Sequence, residues 1–308
     1  MPVRGGCSRS AEISGGWTRD LLLLPDRLSE AGSRANISTS RTSPGLINLL
    51  TATMGHSTGY ADVDAVLATL LAGVRGTLGP HLVGVYLDGS LATGDFAERS
   101  SDIDVLVVPE DALSDEVVAA LGTMHARLEA GTSKWARELE VSYIPRRALR
   151  RVDPDDNCHP CIQRGSDQLV TEAHDCDWVI HRHVIREHGV ALAGPDPRTL
   201  IDPVDAGDLR DAVMSLLHGW WMPAPTCRRW LDNPFYRSYA VLTMCRMRYT
   251  LHHGVVVSKP MAARWAQAAL DARWTPLIQA ALAWSNDIVP DLGETLRFID
   301  DTRQASKR

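Results

Sequence analysis

The sequence predicts an α+β fold, in which an α/β domain is followed by an all-helical domain. Three short apolar segments bounded by turn residues predict strands between residues 82 and 144. Apolar residues recur with helical spacing from about residue 205 to the end. A chain of 308 residues is also long enough for two domains of ordinary size. We therefore expect one domain over residues 54–195 and a second over residues 196–308.

Residues 1–53 differ in composition from the rest of the chain. They are rich in Ser, Gly and Arg, contain no lysine, and follow neither a strand nor a helix period. We expect this stretch to be a disordered extension. It would be absent from a protein whose translation starts at Met54. A targeting or regulatory arm is the alternative, although no amphipathic or polybasic block supports it.

The first domain opens with a helix and two strands. Apolar residues recur at i, i+3, i+4 and i+7 from Ala61, which predicts an amphipathic helix. Leu82 to Leu87 predicts a buried strand that Gly89-Ser90 interrupts. Ile103 to Val108 predicts a second strand, which Pro109 ends.

A helix and a third strand follow. Ser114 is followed by acidic residues, and this pattern predicts the N-cap of a helix. Leu139 to Ile144 predicts a strand with alternating faces. One face is apolar, and the other carries Glu138, Glu140 and Ser142.

The remaining elements are predicted from polarity and helical spacing. Residues 146–168 are polar and predict a loop. A helix follows from about Asp175 to His188, closed by Gly189, and then a short apolar segment. The second domain is predicted to contain helices over residues 205–220, 234–253, 259–271 and 276–302.

Composition excludes several classes of protein. The longest aliphatic run, Leu21 to Leu24, is far too short for a membrane span or a signal-peptide core, so we expect a cytoplasmic protein. A net charge of −6 argues against broad nucleic-acid binding, which requires a basic face. An acidic surface suits a cationic small molecule.

The six cysteines are too sparse for a disulfide framework, so reduced thiols are expected. Cys158 and Cys161, completed by His174 or Cys176, form the one candidate zinc site. Their spacing matches no standard zinc pattern, and a polar loop carrying two thiols is the preferred interpretation.

The most informative segment runs from the end of the first strand into the second. Asp102 and Asp104 are two apart on a strand, so both carboxylates leave the same face, about 6.5 Å apart along the backbone. Such a pair suits magnesium, which takes one or two carboxylates together with phosphate oxygens and water. The Gly89-Ser90 turn offers backbone N–H groups and a hydroxyl to a polyphosphate.

Nucleotidyl transfer needs these two parts together with a group that accepts the proton of the attacking hydroxyl. Glu140, on the polar face of the third strand, is the candidate base. Glu138 has the same direction but lies nearer the start of the strand, and is the second choice.

The pattern Gly89-Ser90 followed by Ser101-Asp102-x-Asp104 resembles the signature of the DNA polymerase β-like nucleotidyltransferase superfamily. More narrowly, residues 58–300 resemble the aminoglycoside adenylyltransferases that modify streptomycin and spectinomycin. The resemblance implies the nucleotidyltransferase fold, with a mixed β-sheet domain before the helical one.

Three further segments carry the narrower resemblance. Leu139 to Ser142 is similar to the strand that bears the family's catalytic base. Arg186 to Pro195 is similar to the segment that joins its two domains. Leu242 to Arg246, with Lys259 thirteen residues later, matches the helical-domain pair that holds the ATP phosphates.

The resemblance implies roles for individual residues. Asp102 and Asp104 would be magnesium ligands, and Glu140 the base. Gly89, Ser90 and Ser101 would touch the triphosphate of ATP. Two cations of the second domain would close on the phosphates: Arg246 and Lys259.

The acceptor site departs from the family pattern. Streptomycin-type members hold the drug with a tryptophan after the base strand and an acid shortly before the arginine helix. In place of the tryptophan this chain has Gly165 or one of its neighbours, and in place of the acid it has Tyr236. Asp177 matches an acid at the domain junction, with helix N-capping as the alternative role, and Asp232 offers a displaced carboxylate.

The resulting hypothesis is a monomeric, magnesium-dependent enzyme that transfers AMP from ATP to a hydroxyl of an aminoglycoside or aminocyclitol and releases pyrophosphate. Transfer to another small molecule or to a protein is one alternative. A non-catalytic nucleotide-binding module is the other, although the presence of Glu140, Arg246 and Lys259 argues against it.

Overall fold

The computed structural model describes residues 57–166, 168–221, 230–285 and 287–307. The predicted extension over residues 1–53 lies outside these ranges. A six-stranded mixed sheet with flanking helices comes first in the chain, and helices follow. The α+β class is therefore confirmed, whereas the division of the chain at residue 195 stays a prediction.

The strands form one sheet with the order β5-β4-β3-β2-β1-β6. Strands β2 and β3 are parallel, and all other neighbours are antiparallel. The strands are β1 (Leu82–Leu87), β2 (Ile103–Pro109), β3 (Leu139–Tyr143), β4 (Cys158–Ile162), β5 (Val170–Ala173) and β6 (Val190–Ala193).

Ten α-helices lie within the described ranges, five of them before the last strand. Four short 3₁₀ segments connect elements, among them Lys134–Glu138 before β3. The α-helices are α1 (Ala61–Leu78), α2 (Gly89–Thr93), α3 (Asp115–Glu129), α4 (Arg146–Leu149), α5 (Asp177–His188), α6 (Ala206–Gly219), α7 (Pro234–His253), α8 (Lys259–Ala269), α9 (Thr275–Leu282) and α10 (Leu292–Ala305).

One face of the sheet is covered by α1 and α3. The apolar stripe of α1 packs with the inward residues of β1, β2 and β3, including Val85, Val105 and Val141. The predicted cap of α3 is confirmed, because the backbone N–H of Val117 donates to Ser114 Oγ at 3.5 Å. Each buried aliphatic side chain in this layer contributes about 1.5–3 kcal/mol relative to exposure.

Helix α5 covers the opposite face and joins the two parts of the molecule. Trp178 and Ile185 pack with the sheet residues of that face. Ile180 and Val184, on another side of the same helix, belong to the core formed by α6, α7 and the following helices. Because α5 contributes to both cores, it positions the helices relative to the sheet.

Two features of the region after β3 were not expected. Residues 146–168, predicted as a loop, contain α4 and β4, and β4 pairs with the unpredicted strand β5. Strand β4 carries Pro160 and polar residues, so its composition does not indicate a strand. Antiparallel pairing with β3 on one side and β5 on the other defines it instead.

The predicted helix over residues 276–302 is two helices, α9 and α10. Pro290 disfavours helical backbone in the residue before it, and Asp291 caps the new helix by accepting from the N–H of Glu294 at 2.8 Å. Gly189 does end α5, but its φ of −56° is not left-handed. A side chain there would collide with the backbone of Ile185, so close approach requires the glycine.

Among the helices in the described ranges, none combines the length and the apolar character needed to cross a membrane.

Candidate active site

Three carboxylates meet on the face of the sheet that α5 covers. Asp104 on β2 lies beside Glu140 on β3 in the parallel register, and Asp102 directly precedes β2. Each of the three offers an oxygen within 4.8 Å of the other two. Glu140 is only 6% exposed. The strand period and the register thus bring both predicted metal ligands and the predicted base together.

The turn after β1 approaches these carboxylates closely. Gly89 has a φ of +57°, and a Cβ at this position would collide with the carboxylate of Asp104. Only glycine fits this turn, because both its backbone conformation and its distance from Asp104 exclude a side chain. Ser90 follows, and its buried Oγ makes no hydrogen bond within the described ranges.

The loop between α2 and β2 is held by a serine. The backbone N–H of Ala97 donates to Ser101 Oγ at 3.0 Å, and the N–H of Ser101 donates to the carbonyl of Ala97 at 2.8 Å. This pair of bonds places Ser101 on the wall of the same cavity as Ser90. A hydroxyl that accepts one hydrogen bond can still donate its own hydrogen to a phosphate oxygen.

A cavity of about 450 Å³ separates the sheet from the helices. Its sheet side carries the Gly89-Ser90 turn, Asp102 and Asp104, and its helical side carries Arg246 and Lys259. Aromatic residues extend the helical side: Phe235, Tyr239 and Trp284.

The two cations reach this cavity from different helices. Burial lowers the pKa of Arg246 to about 10, while Tyr239, Asp88, and both Asp104 and Asp102 act in the opposite direction. The guanidinium therefore remains charged at neutral pH and lies within the field of the carboxylates. Lys259 Nζ lies 4.1 Å from the ring centroid of Tyr239, and its helix is capped by Ser258.

Other predicted residues lie outside the cavity wall, and Glu140 is one of them: it lines a small adjoining pocket together with Asp88 and Asp104. Glu138 belongs to the 3₁₀ segment and pairs with Arg164. Asp177 is fully buried at the first position of α5, whose N-cap residue is Cys176, and its charge partly offsets the burial that lowers the pKa of Arg182 to about 10. Asp232 is exposed. Neither of these last two acids lines the cavity, so their contact with an acceptor stays a prediction.

The zinc alternative finds no support in the described ranges, where the three carboxylates form the one metal-compatible group. Cys161 Sγ lies 3.5 Å from Glu172 Oε2, and Gln163 Nε2 donates to the other oxygen of Glu172 at 2.6 Å. His174 stacks on Trp178, with ring centroids 4.2 Å apart.

Two residues of the site were missed in the sequence. Asp88 and His181 both line the cavity, and Asp88 Oδ2 lies 2.7 Å from His181 Nδ1. The acid directly before Gly89-Ser90 was a usable signal. Its histidine partner was not, because helix α5 has several histidines and no local pattern distinguishes one of them.

Comparisons with known proteins agree with this arrangement. A family model described as a nucleotidyltransferase domain matches residues 71–156. A second, described as the C-terminal domain of aminoglycoside adenylyltransferase, matches residues 199–300. The chain is also 31% identical over 231 residues to an aminoglycoside (3'') (9) adenylyltransferase of Shigella flexneri, covering 72% of this chain and 84% of that protein.

The chain belongs to the aminoglycoside adenylyltransferase family. Another relative of this family is a spectinomycin 9-adenylyltransferase of Staphylococcus aureus, 27% identical over 220 residues, with 68% of this chain and 79% of that protein covered. The fold is similar to that of a spectinomycin adenyltransferase from Enterococcus faecialis crystallised with ATP and spectinomycin. That structure has a TM-score of 0.61 at 15% identity and covers 79% of this chain and 99% of its own.

Proposed function

We propose that the chain transfers AMP from ATP to a hydroxyl of an aminoglycoside or aminocyclitol antibiotic and releases pyrophosphate. The observation that carries the proposal is a cluster of three carboxylates, two of which, Asp102 and Asp104, line the same cavity as two cations. Family membership adds the substrate class. We also propose that the enzyme acts as a monomer, in the cytoplasm where ATP is available.

The cluster of three carboxylates fits a magnesium ion. Hard oxygen donors from Asp102 and Asp104 converge with Glu140, and the glycine at position 89 leaves room beside them. Asp102 and Asp104 would hold the ion, which when bound supplies positive charge to polarise the α phosphate. Oxygen-only ligands of this kind suit magnesium better than zinc.

The triphosphate is held from both sides of the cavity. Backbone N–H groups of the Gly89-Ser90 turn and the hydroxyls of Ser90 and Ser101 donate from the sheet side. Arg246 and Lys259 supply positive charge from the helical side. Together they neutralise the β and γ phosphates, which leave as pyrophosphate.

In this proposal Glu140 takes the proton of the attacking hydroxyl. The acceptor hydroxyl oxygen forms a bond to the α phosphorus as the bond from that phosphorus to the bridging oxygen breaks, and the hydroxyl proton passes to a Glu140 oxygen. Burial of Glu140 within the sheet keeps bulk water away from this proton transfer.

The test uses purified chain with ATP and magnesium, offered streptomycin, spectinomycin or an unrelated polyol. Pyrophosphate release that depends on one antibiotic, together with a product heavier by one AMP, supports the proposal. Expression in a susceptible host should raise the inhibitory concentration of the same drug. Release with the polyol alone, or with no small acceptor, would reject the antibiotic as the substrate.

A further inference from the structure

A row of acidic residues crosses three neighbouring strands at the site. Leu87 pairs with Val105 in the β1–β2 register, so Asp88 comes next, opposite Asp104. The backbone N–H of Asp88 donates to the carbonyl of Asp104 at 3.0 Å, and Asp104 pairs in turn with Glu140. Like charges directly opposite each other on neighbouring strands repel, and a bound triphosphate adds more negative charge beside them.

Asp88, the first member of this row, is held by a histidine. His181 on α5 places Nδ1 2.7 Å from Asp88 Oδ2, and the two residues are only 9% and 5% exposed. A carboxylate can only accept, so the ring nitrogen donates. The second oxygen, Asp88 Oδ1, is buried and makes no hydrogen bond within the described ranges.

The direction of the Asp88 side chain is unusual for its position. Asp88 is the N-cap residue of α2, where an aspartate normally accepts from a backbone N–H of the first turn. Here the side chain makes no such bond. The bond to His181 therefore leaves the N–H groups of the Gly89-Ser90 turn unoccupied by the carboxylate.

Asp88 also lies outside the metal-compatible group. The three residues whose oxygens lie within 4.8 Å of one another are Asp102, Asp104 and Glu140, without Asp88. A role as a further metal ligand is therefore less well supported than a role of the pair in keeping charge away from the turn.

We propose that His181 is a positioning residue that holds the Asp88 carboxylate away from the phosphate-binding turn, so that the turn can accept the triphosphate of ATP. Without His181 the carboxylate is free to rotate onto the Gly89-Ser90 N–H groups and to occupy them itself. The inference rests on the proposed function, because it assumes that the triphosphate binds at this turn.

The experiment measures the affinity for ATP with magnesium by calorimetry, and KM and kcat from pyrophosphate release, on full-length protein. His181→Leu should weaken ATP binding roughly tenfold, since an unpaired carboxylate then opposes the phosphates. The double variant Asp88→Asn/His181→Leu should recover affinity to within about threefold of the unaltered chain, because the opposing charge is gone. Asp88→Asn alone should bind ATP no more weakly than the unaltered chain.

Two further variants separate positioning from folding. His181→Asn retains a donor near the Nδ1 position and should keep most of the affinity. His183→Leu alters a histidine on the same helix that does not line the cavity, and should leave ATP binding unchanged. Thermal unfolding of each variant checks that the fold persists.

A double variant as weak as His181→Leu would overturn the proposal, because His181 would then act by another route. Loss of ATP binding in Asp88→Asn would also overturn it and would make Asp88 a ligand. If the unaltered chain neither binds ATP nor releases pyrophosphate with any antibiotic, the proposed function fails. Normal activity of the unaltered chain with no rescue refutes the positioning role alone.

Discussion

The two walls of the cavity are built in different ways. The sheet wall carries Asp102 and Asp104, and the backbone register sets the separation between Asp104 and the neighbouring Glu140, because β2 and β3 pair in parallel. The helical wall carries Arg246 and Lys259 on two helices, where side-chain packing sets their positions. Backbone hydrogen bonds thus define the acidic wall, and helix packing defines the cationic wall.

This difference has a consequence for the chemistry. Carboxylates that must share a small ion need fixed separations, which a strand register supplies. Cations that neutralise a larger triphosphate tolerate more variation, and Lys259 reaches the cavity with a long side chain that lies over Tyr239. We therefore expect changes in the sheet wall to affect catalysis and changes in the helical wall to affect ATP binding.

The largest effect is expected from Asp104→Asn, which keeps the shape of the side chain but removes its negative charge. Turnover should fall by about 10³-fold or more, because charge stabilisation at the α phosphate depends on the metal site. Pyrophosphate release measured over a range of magnesium concentrations tests this. Asp111→Asn, at an exposed position beyond the other end of β2, is the control. Normal turnover in Asp104→Asn would remove the metal-site assignment.

Glu140→Gln should lower turnover by about 10²–10⁴-fold, because glutamine keeps the reach of the side chain but cannot take the proton. The affinity for ATP with magnesium should change little, since Asp102, Asp104 and the cations remain. Paired kcat and calorimetric measurements check both parts.

Glu138→Gln is the matched comparison for the base. Glu138 lies two residues earlier, pairs with Arg164 and lies outside the cluster of Asp102, Asp104 and Glu140. Its variant should retain activity. If Glu138→Gln loses turnover and Glu140→Gln retains it, the base is the other glutamate of this segment.

In the helical wall, Arg246→Met should raise KM for ATP by roughly 10–100-fold, because a charge-assisted contact to phosphate is lost. Lys259→Met should raise KM for ATP less, by about tenfold, since the ammonium of this cation lies over the ring of Tyr239. Arg264→Met, at an exposed position on α8, is the control. A fall in kcat with unchanged KM would contradict the division between the two walls.

The smallest effect concerns the free energy of unfolding at acid pH, which should depend on two buried histidines. Burial lowers the pKa of His125 and of His159 to about 4 from an ordinary 6.5. Between pH 6.5 and 4 the unfolded chain binds protons that the folded chain does not, so the free energy of unfolding falls as the pH decreases. Each histidine should lower the free energy of unfolding by about 2 kcal/mol between pH 6.5 and 5.

Denaturant unfolding at several pH values tests this expectation. His125→Gln keeps a hydrogen-bonding group near the Tyr143 hydroxyl, which lies 2.7 Å from His125 Nε2. The variant should show a shallower loss of stability with acid than the unaltered chain. His252→Gln, at an exposed position, should not. Equal pH dependence in all three proteins would show that other groups control the acid transition.

Much of the fold could be predicted because its signals are local. The strand period of β1, β2 and β3 and the cap of α3 follow from neighbouring residues, and the structure confirms them. Strands β4 and β5 could not be predicted in this way. Their residues have no strong strand preference, and pairing with β3 and with each other forms them.

Within the candidate site, too, some features follow from the local sequence and others depend on the tertiary structure. The two-residue spacing of Asp102 and Asp104 predicts that both carboxylates lie on one side of the chain, and their oxygens do lie within 4.8 Å of each other. The bond from Asp88 to His181 joins residues far apart in the chain, and nothing local to either one indicates it. The burial of Asp177 similarly depends on helix packing, so a sequence match alone did not show whether it reaches the cavity.

The sequence by itself determined which residues the candidate site offers: the Gly89-Ser90 turn, the pair of aspartates and the glutamate on a later strand. These follow from residue type and from the periods of strand and helix, which depend only on local backbone geometry. The tertiary structure alone decided which distant residues meet: Glu140 with Asp104, Arg246 with the acidic wall, and His181 with Asp88. Strand register and helix packing set those distances, and both depend on contacts between residues that are remote in sequence.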